Sequence, residues 1–416
     1  MLVESRYNLI YNNQDFNIVV NTLEKTSTKI ISKNNNLFEV LKNPNDSKYD
    51  FITKKLITKG ILIENNKNEK EICTYKVNKS IYSSKELNFM ISLGKKCNFR
   101  CKYCWQDNNI NEDIKKEDLD NLLKYLKKNL KNYNSLIIEW FGGEPLIYKD
   151  IIKEYSKKFI NVCKNYNLPY MASITTNGYL LDEDTIKDFL KARIFNYQIT
   201  LDGIESIHNL QRPLINGEAT YKKILSNLEL LDKMLPRYSK VFIRINLTKQ
   251  LFNKKYEVLY NLKKINFSEK FIFRLENCKI TSNNTRELSN DEFIEFCSVI
   301  KQNELPIIFN FSNIKNSNFC SFIYDSTFMI EKNCILRKCL SIHNIGSIDY
   351  NGNIRTDEEI LSKFYNFNLI NKCENCKILP ICYNLICPYD KSTCYGDILL
   401  NNNFGNIIDF DDTIII

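Results

Sequence analysis

From residue 87 to about residue 303 the chain alternates between two hydrophobic patterns. Short apolar runs with period-two alternation mark strands, and longer stretches with apolar residues every three or four positions mark amphipathic helices. Strands are expected at Leu87–Leu93, Leu136–Phe141, Tyr170–Thr176, Phe195–Leu201, Val241–Leu247 and Lys270–Leu275. Helices are expected at Lys116–Lys131, Ile151–Tyr166, Asp182–Lys191 with Asp182 as its cap, Tyr221–Met234, Tyr256–Ile265 and Asp291–Gln302. Six βα units in series predict an α/β fold, a parallel sheet curled into a partial TIM-like (βα)6 barrel. In such barrels functional groups gather at the carboxyl ends of the strands.

The first 84 residues follow a different rhythm. Tyr7–Asn12 and Phe16–Thr22 read as a hairpin, Lys29–Ser32 as a third strand, and Leu37–Leu41 and Ile52–Thr58 as helices before Gly60 and the strand Ile61–Ile63. Such a small α+β module resembles the winged-helix peptide-recognition domains attached to peptide-maturing enzymes; a structural cap over the barrel is the alternative. The expected organisation is 1–84 for this module, 85–303 for the barrel, 304–333 as a bridge, 334–397 as a cysteine-rich domain and 398–416 as a tail.

Composition narrows the classes. The chain has 416 residues, 44% of them hydrophobic, enough for a large core, and no run reaches the roughly 18 apolar residues of a membrane span. The net charge of +9 comes from lysines scattered among abundant Asn and Ile rather than from a basic patch, so no nucleic-acid partner is expected. Fifteen cysteines in odd clusters, without a signal peptide, suit a reducing cytoplasm.

Cys97, Cys101 and Cys104 form a C-x3-C-x2-C triplet at the end of the first expected strand. A closed iron–sulfur cluster takes four cysteines, and no fourth one follows at similar spacing. A zinc site is the other reading, but tetrahedral zinc also wants four ligands, and His208 and His343 are remote in sequence. With Tyr103 just before the third cysteine, the triplet resembles the signature of the radical S-adenosylmethionine (SAM) enzymes. That resemblance implies a 4Fe–4S cluster whose open iron binds SAM, and chemistry by a 5′-deoxyadenosyl radical that abstracts a hydrogen atom from substrate.

The same resemblance gives meaning to other strand ends. Gly142, Gly143 and Glu144 follow the second strand, where the family binds the SAM amino group. Thr175, Thr176, Asn177 and Gly178 end the third strand, and Thr200 to Gly203, with Asp202, the fourth; the family uses such turns near the SAM ribose and the substrate, although ordinary turn chemistry also explains them. His208 and Arg212 resemble a His-Asp-x-x-Arg segment, with Asn209 in place of the usual Asp. Arg212 is expected either to clamp a carboxylate or to form a helix-start salt bridge. Arg244 and Asn246 alternate toward one face of the fifth strand.

Seven further cysteines, Cys334, Cys339, Cys373, Cys376, Cys382, Cys387 and Cys394, crowd the C-terminal third. Their spacing resembles the SPASM extension of radical SAM enzymes, which holds two auxiliary 4Fe–4S clusters, three in all with the first. One would use Cys373, Cys376, Cys382 and Cys394. The other would use Cys334, Cys339 and Cys387, with Asp357 or nothing as the fourth ligand; Cys320 is a less well-placed substitute for Cys334. Two four-cysteine zinc sites are the alternative. Cys73, Cys163, Cys278 and Cys297 read as buried core thiols.

Asp357 stands where the family usually has a cysteine, and carboxylate holds iron less firmly than thiolate. The resemblance therefore points to a maturase of a ribosomally made, cysteine-containing precursor peptide, forming thioether cross-links. It is expected to draw electrons from an external donor of flavodoxin or ferredoxin type. The runner-up is formylglycine formation as in anaerobic sulfatase-maturing enzymes, with Glu358, or Asp357 after a one-residue slip, as base. Epimerisation and carbon–carbon cross-linking remain open, and a zinc module or a pure electron carrier are the readings of other classes.

Overall fold

The computed structural model describes residues 1–13, 15–31, 36–104, 106, 112–280, 285–309, 321–339, 344–365, 373–382 and 397–415. Two compact units emerge: Ser84–Ile308 with Asp325–Ser362, and Met1–Ser83 with Phe309–Tyr324 and Lys363–Ile416.

The larger unit is built on parallel strands Glu86–Ser92, Ser135–Phe141, Tyr170–Thr176, Ile194–Thr200, Lys240–Leu247 and Phe271–Asn277, adjacent in that order. Each pairs with the next in parallel register. Helices Lys116–Asn129, Lys149–Asn165, Glu183–Lys191, Tyr221–Met234 and Lys255–Lys264 lie between them, and Asn290–Lys301 follows the sixth. This is the partial barrel that the alternating patterns predict. The face bearing Leu87, Phe89, Ile138, Trp140, Ile174, Ile199 and Ile243 is buried. It meets the helices, as the stacking of Trp140 on Phe159 shows.

The opposite face carries Met90, Glu139, Ser173, Thr175, Gln198, Arg244 and Arg274, all only partly buried. Glu139 on the second strand senses Arg274 on the sixth, an interaction made across the curled sheet. The lumen is therefore partly accessible and mixed, with these polar groups interleaved with Ile137, Phe141, Phe242 and Ile272. Beyond the first strand the sheet continues with Thr327–Glu331 in parallel, then Ile335–Arg337, Gly346–Ile348 and Ile354–Thr356 as an antiparallel meander.

In the smaller unit Asn8–Asn12, Asn17–Asn21 and Thr26–Ile31 form an antiparallel meander. Asp412–Ile415 adds a fourth, parallel strand at its edge. Helix Glu69–Ser83 buries Cys73, Val77 and Ile81, spaced four apart, in a core with Tyr7, Leu23, Ile323 and Leu379, and Cys373 and Cys376 pack against it. Arg6 Nη2 donates to Asn375 Oδ1 at 2.9 Å.

The compact units thus depart from the sequential boundaries expected for the N-terminal module, the bridge and the cysteine-rich domain. Residues 334–362 extend the barrel sheet, whereas Cys373–Cys382 shares a core with the N-terminal helix. Non-local pairing and packing, which no spacing announces, decide the division.

Candidate active site

The cysteine triplet follows the first barrel strand on a loop held by backbone bonds from two sides. On one side Gly143 N–H donates to Gly94 O and Glu144 N–H to Lys96 O, both at 2.8 Å. A Cβ on Gly143 would strike the carbonyl oxygens of Lys95 and Lys96, so only glycine permits this approach. On the other side the segment after helix Glu205–Gln211 runs beside the loop. Arg100 N–H donates to Pro213 O, Lys102 N–H to Gln211 O and Ile215 N–H to Asn98 O, at 2.9, 2.9 and 3.0 Å.

Cys97, Cys101 and Cys104 sense one another electrostatically. Burial pushes the Cys97 thiol up to about 12, helped by its neighbouring cysteines and Glu144, and likewise raises Cys101, which the Arg212 guanidinium partly opposes. Buried thiols of this kind ionise when a metal replaces the proton. Beside the loop, Arg212 Nε, Asn98 Nδ2 and Gln211 Oε1 are buried without hydrogen-bond partners. Among the described residues no three side chains are already gathered at metal-binding distance, but two unspent donors beside a loop that carries three thiols suit a carboxylate-bearing ligand.

Glu144 is fully buried. Its Oε1 accepts from the Thr176 hydroxyl at 2.5 Å and Leu146 N–H at 2.9 Å, and its Oε2 from Asn177 N–H at 2.7 Å. Three of roughly four acceptor positions of a carboxylate are thus spent on the protein. Burial raises its pKa while these donors counter it. Asn177 Nδ2 reaches back to Asn98 Oδ1 at 2.7 Å, tying the third strand end to the cysteine loop.

A second network ties in the fourth and fifth strand ends. The Tyr103 hydroxyl donates to Asp202 Oδ2 and accepts from Arg212 Nη1 at 2.9 Å and Asn246 Nδ2 at 3.0 Å. Asp202 Oδ1 accepts Asn246 N–H at 2.9 Å. Asp202 N–H donates to His208 Nδ1 at 3.0 Å, so the ring proton sits on Nε2 and donates to Thr220 Oγ1 at 3.1 Å. The Thr220 hydroxyl in turn donates to Arg212 O at 2.8 Å, closing a ring of contacts. Burial, and then the Arg212 charge, hold the His208 pKa well below its usual value. Asn209, in place of the family's Asp, accepts from Thr220 and Tyr221 N–H, both at 3.0 Å, and pins the start of the next helix.

The sequence singled out Glu144, Thr176, Asn177, Asp202 and Arg212, and the fold brings these around the triplet. It did not foresee the Tyr103 hydroxyl, whose partners Asp202 and Arg212 lie 99 and 109 residues away. Nor did it foresee the backbone ladder of 211–215, which no side-chain pattern announces. In the sequence Glu139 stands out only as part of a strand.

The C-terminal candidates are placed separately. Cys334 is buried, with its thiol 3.0 Å from Asp118 O, and Cys339 is half-buried. Asp357 and Glu358 are exposed at the start of helix Glu358–Tyr365, where Asp357 Oδ1 accepts Ile360 N–H at 3.0 Å as an N-cap. Cys373, Cys376 and Cys382 lie on consecutive turns, with Cys376 N–H donating to Cys373 O and Cys382 N–H to Ile378 O. Cys320, His343, Cys387 and Cys394 lie outside the described residues. Cys73, Cys163, Cys278 and Cys297 are buried, as expected of core thiols.

A parallel partial barrel with three thiols on the loop after its first strand and a Gly-Gly-Glu at the end of its second is the arrangement expected of a radical SAM domain. Residues 91–262 match the radical SAM superfamily, so the barrel contains a radical SAM domain. It is 26% identical over 331 residues to the cysteine-type anaerobic sulfatase-maturating enzyme of Clostridium novyi, covering 69% of this chain and 83% of that one. A shorter match, 34% identical over 128 residues, links it to GTP 3′,8-cyclase of Clostridium botulinum, of which it spans 37%. Among solved structures, the fold resembles anSMEcpe with bound AdoMet and Cp18Cys peptide, with a TM-score of 0.57 and 21% identity over 77% of this chain and 94% of that one. It also resembles Streptococcus suis SuiB bound to precursor peptide SuiA, with a TM-score of 0.52 and 16% identity over 99% of both chains.

Proposed function

We propose that this chain is a radical SAM maturase of a ribosomally made, cysteine-containing precursor peptide, and that it forms thioether cross-links. The observation that supports the precursor-peptide part of the reading is the reach of the likeness to SuiB, and the thioether part rests on Asp357 standing where the family usually has a cysteine. The SuiB likeness spans 99% of the chain, whereas the likeness to the sulfatase-maturating structure spans 77%. Cys97, Cys101 and Cys104 would hold a 4Fe–4S cluster, with SAM beside Arg212, Asn98 and the Gly142–Glu144 turn. Bound there, cluster and SAM supply a 5′-deoxyadenosyl radical able to remove a hydrogen atom from a peptide carbon.

The residues of the chain prepare that chemistry. The Tyr103–Asp202–Arg212 ring fixes the third-cysteine turn against two strand ends. Glu144 locks the Thr176–Asn177 turn. The lumen residues Glu139, Thr175, Gln198 and Arg244 offer polar contacts to an extended peptide. Cys373, Cys376, Cys382 and Cys394 would hold an auxiliary cluster, and Cys334, Cys339, Cys387 and Asp357 a second.

Formylglycine formation is the second reading, favoured by the long sequence match to a cysteine-type sulfatase-maturating enzyme. Mass spectrometry of a short cysteine-containing peptide encoded beside this gene, after co-expression without oxygen, separates the two. Loss of two hydrogens for each thiol that disappears supports thioether formation. An aldehyde trapped by a hydrazine probe supports formylglycine. An unmodified peptide, with SAM still cleaved, refutes this choice of substrate.

A further inference from the structure

The fifth and sixth barrel strands put two arginines side by side on the lumen wall. Arg244 on Lys240–Leu247 and Arg274 on Phe271–Asn277 are register partners, and both are half-buried. Each spends its Nε on the residue two positions further along its own strand. Arg274 Nε pairs with Glu276 Oε1 at 2.8 Å, and Arg244 Nε donates to Asn246 Oδ1 at 2.9 Å. The consequences differ. Glu276 neutralises Arg274, whereas only a neutral amide holds Arg244. Among the described residues Arg244 has no ion-pair partner, and its Nη groups make no hydrogen bond.

Like charges on adjacent strands oppose each other, and one of this pair is left uncompensated. The carboxylates around Arg244 are already engaged. Asp202 senses its charge, but Asp202 Oδ2 accepts from the Tyr103 hydroxyl and Oδ1 from Asn246 N–H. Glu139 accepts from the Thr175 hydroxyl at 3.1 Å and lies toward Arg274 instead. Asn246 also sets where Arg244 stands. Its Oδ1 holds the guanidinium, while its Nδ2 donates to the hydroxyl of Tyr103, the residue before Cys104. A guanidinium aimed through Nε, with both Nη groups unspent, presents an end-on fork that matches the two oxygens of a carboxylate. In the proposed site the carboxylate of SAM already has Arg212, so the second fork serves another anion.

We propose that Arg244 is a specificity-determining residue that selects an acidic peptide. Its Nη fork binds one carboxylate of the substrate beside the third-cysteine turn, supplied by an Asp or Glu side chain or by the peptide's own C-terminus. The proposal rests on the maturase reading. Arg274, tied to Glu276, adds to the positive field without competing for the ligand.

The test uses acetylated, amidated pentapeptides Gly-Ala-X-Ala-Gly with X as Asp, Asn or Lys, and an Asn form with a free terminal carboxylate. Binding to the holoenzyme with SAM is followed by saturation-transfer-difference NMR at fixed ionic strength. The Asp peptide should bind at least about fivefold more tightly than the amidated Asn peptide. Arg244→Gln should equalise the two, and Arg244→Glu should turn the preference toward Lys. Equal binding of Asp and Asn peptides to the unchanged chain overturns the proposal. So does an Asp preference that survives in either variant, because another basic group then reads the charge. A free-carboxylate Asn peptide that binds as the Asp peptide does assigns the fork to a chain terminus; one that binds as its amidated form does assigns it to a side chain.

If Arg244→Gln is unfolded by circular dichroism, Arg244→Lys decides, since it keeps the charge without the fork. Its Asp preference should fall by at least half, and an undiminished preference overturns the proposal. Binding here needs no turnover. Modification of the gene-encoded peptide without any Asp preference removes this pocket alone, whereas a preference that depends on Arg244 in a chain that modifies no peptide removes the maturase reading instead.

Discussion

A carboxylate that already accepts three protein hydrogen bonds does more for the shape of its site than for its affinity. Glu144→Gln places an NH2 group against the donors of Thr176, Asn177 or Leu146 and leaves buried groups unsatisfied. It should cost about 1–3 kcal/mol of stability, read by urea denaturation, and weaken SAM binding through the disturbed Thr176–Asn177 turn. Unchanged stability would mean that the carboxylate serves the ligand alone. His208 gives a pH signature. Its pKa is held down in the folded chain, so below the unfolded value of about 6.5 the unfolded chain takes up a proton that the folded one refuses. Stability present above that pH is then lost as pH falls, by at most about 1.4 kcal/mol per pH unit. His208→Gln should flatten this part of the stability profile, and an unchanged slope would assign the pH dependence elsewhere. At this scale the motif residues were legible because spacing and strand ends reveal them. Their partners were not, because Tyr103, Asp202 and Arg212 meet only once the barrel has curled.

Among elements, the barrel strands were legible, whereas helices Glu69–Ser83, Glu205–Gln211 and Glu358–Tyr365 and the short strands between Thr327 and Thr356 were not. The barrel strands bury one face under helices, which leaves a clear period of two. Apart from Glu69, helix Glu69–Ser83 buries only Cys73, Val77 and Ile81 in a stretch otherwise rich in polar residues, so its stripe is too thin to stand out. The start of helix Glu358–Tyr365 raises a prediction of its own. Asp357→Ala removes the N-cap and should destabilise that helix by about 0.5–2 kcal/mol, seen as faster hydrogen exchange at Ile360 and Leu361. If Asp357 is also a displaceable cluster ligand, Asp357→Cys should retain iron and SAM cleavage but lose the cross-linked product. Cysteine tolerated and alanine inactive would instead make Asp357 a base or a structural ligand. For the cysteine loop, replacing Cys97, Cys101 and Cys104 together with alanine should abolish 5′-deoxyadenosine formation and leave iron at the C-terminal cysteines. Formation that persists would place the SAM cluster elsewhere.

At the scale of the whole molecule, the N-terminal module is not a detachable accessory. Removing residues 1–83 strips Cys73, Val77 and Ile81 from the core that also holds Leu379 and Ile323. Each large apolar side chain so exposed costs about 1.5–3 kcal/mol. The truncated chain should bind less iron at Cys373, Cys376 and Cys382, measured by iron analysis in the background of the triplet-to-alanine variant. Undiminished iron there would show that the C-terminal cysteines fold without the module. The backbone ladder from residues 211–215 bears on the order in which the centre is put together. Its bonds are made by polypeptide alone, so the loop should hold its shape without iron and sulfide. A zinc finger folds only around its ion; this loop should instead be a mould that is cast first and filled afterwards. Reconstitution at the barrel site should therefore proceed at the rate of cluster chemistry, with no refolding phase in the far-ultraviolet circular dichroism.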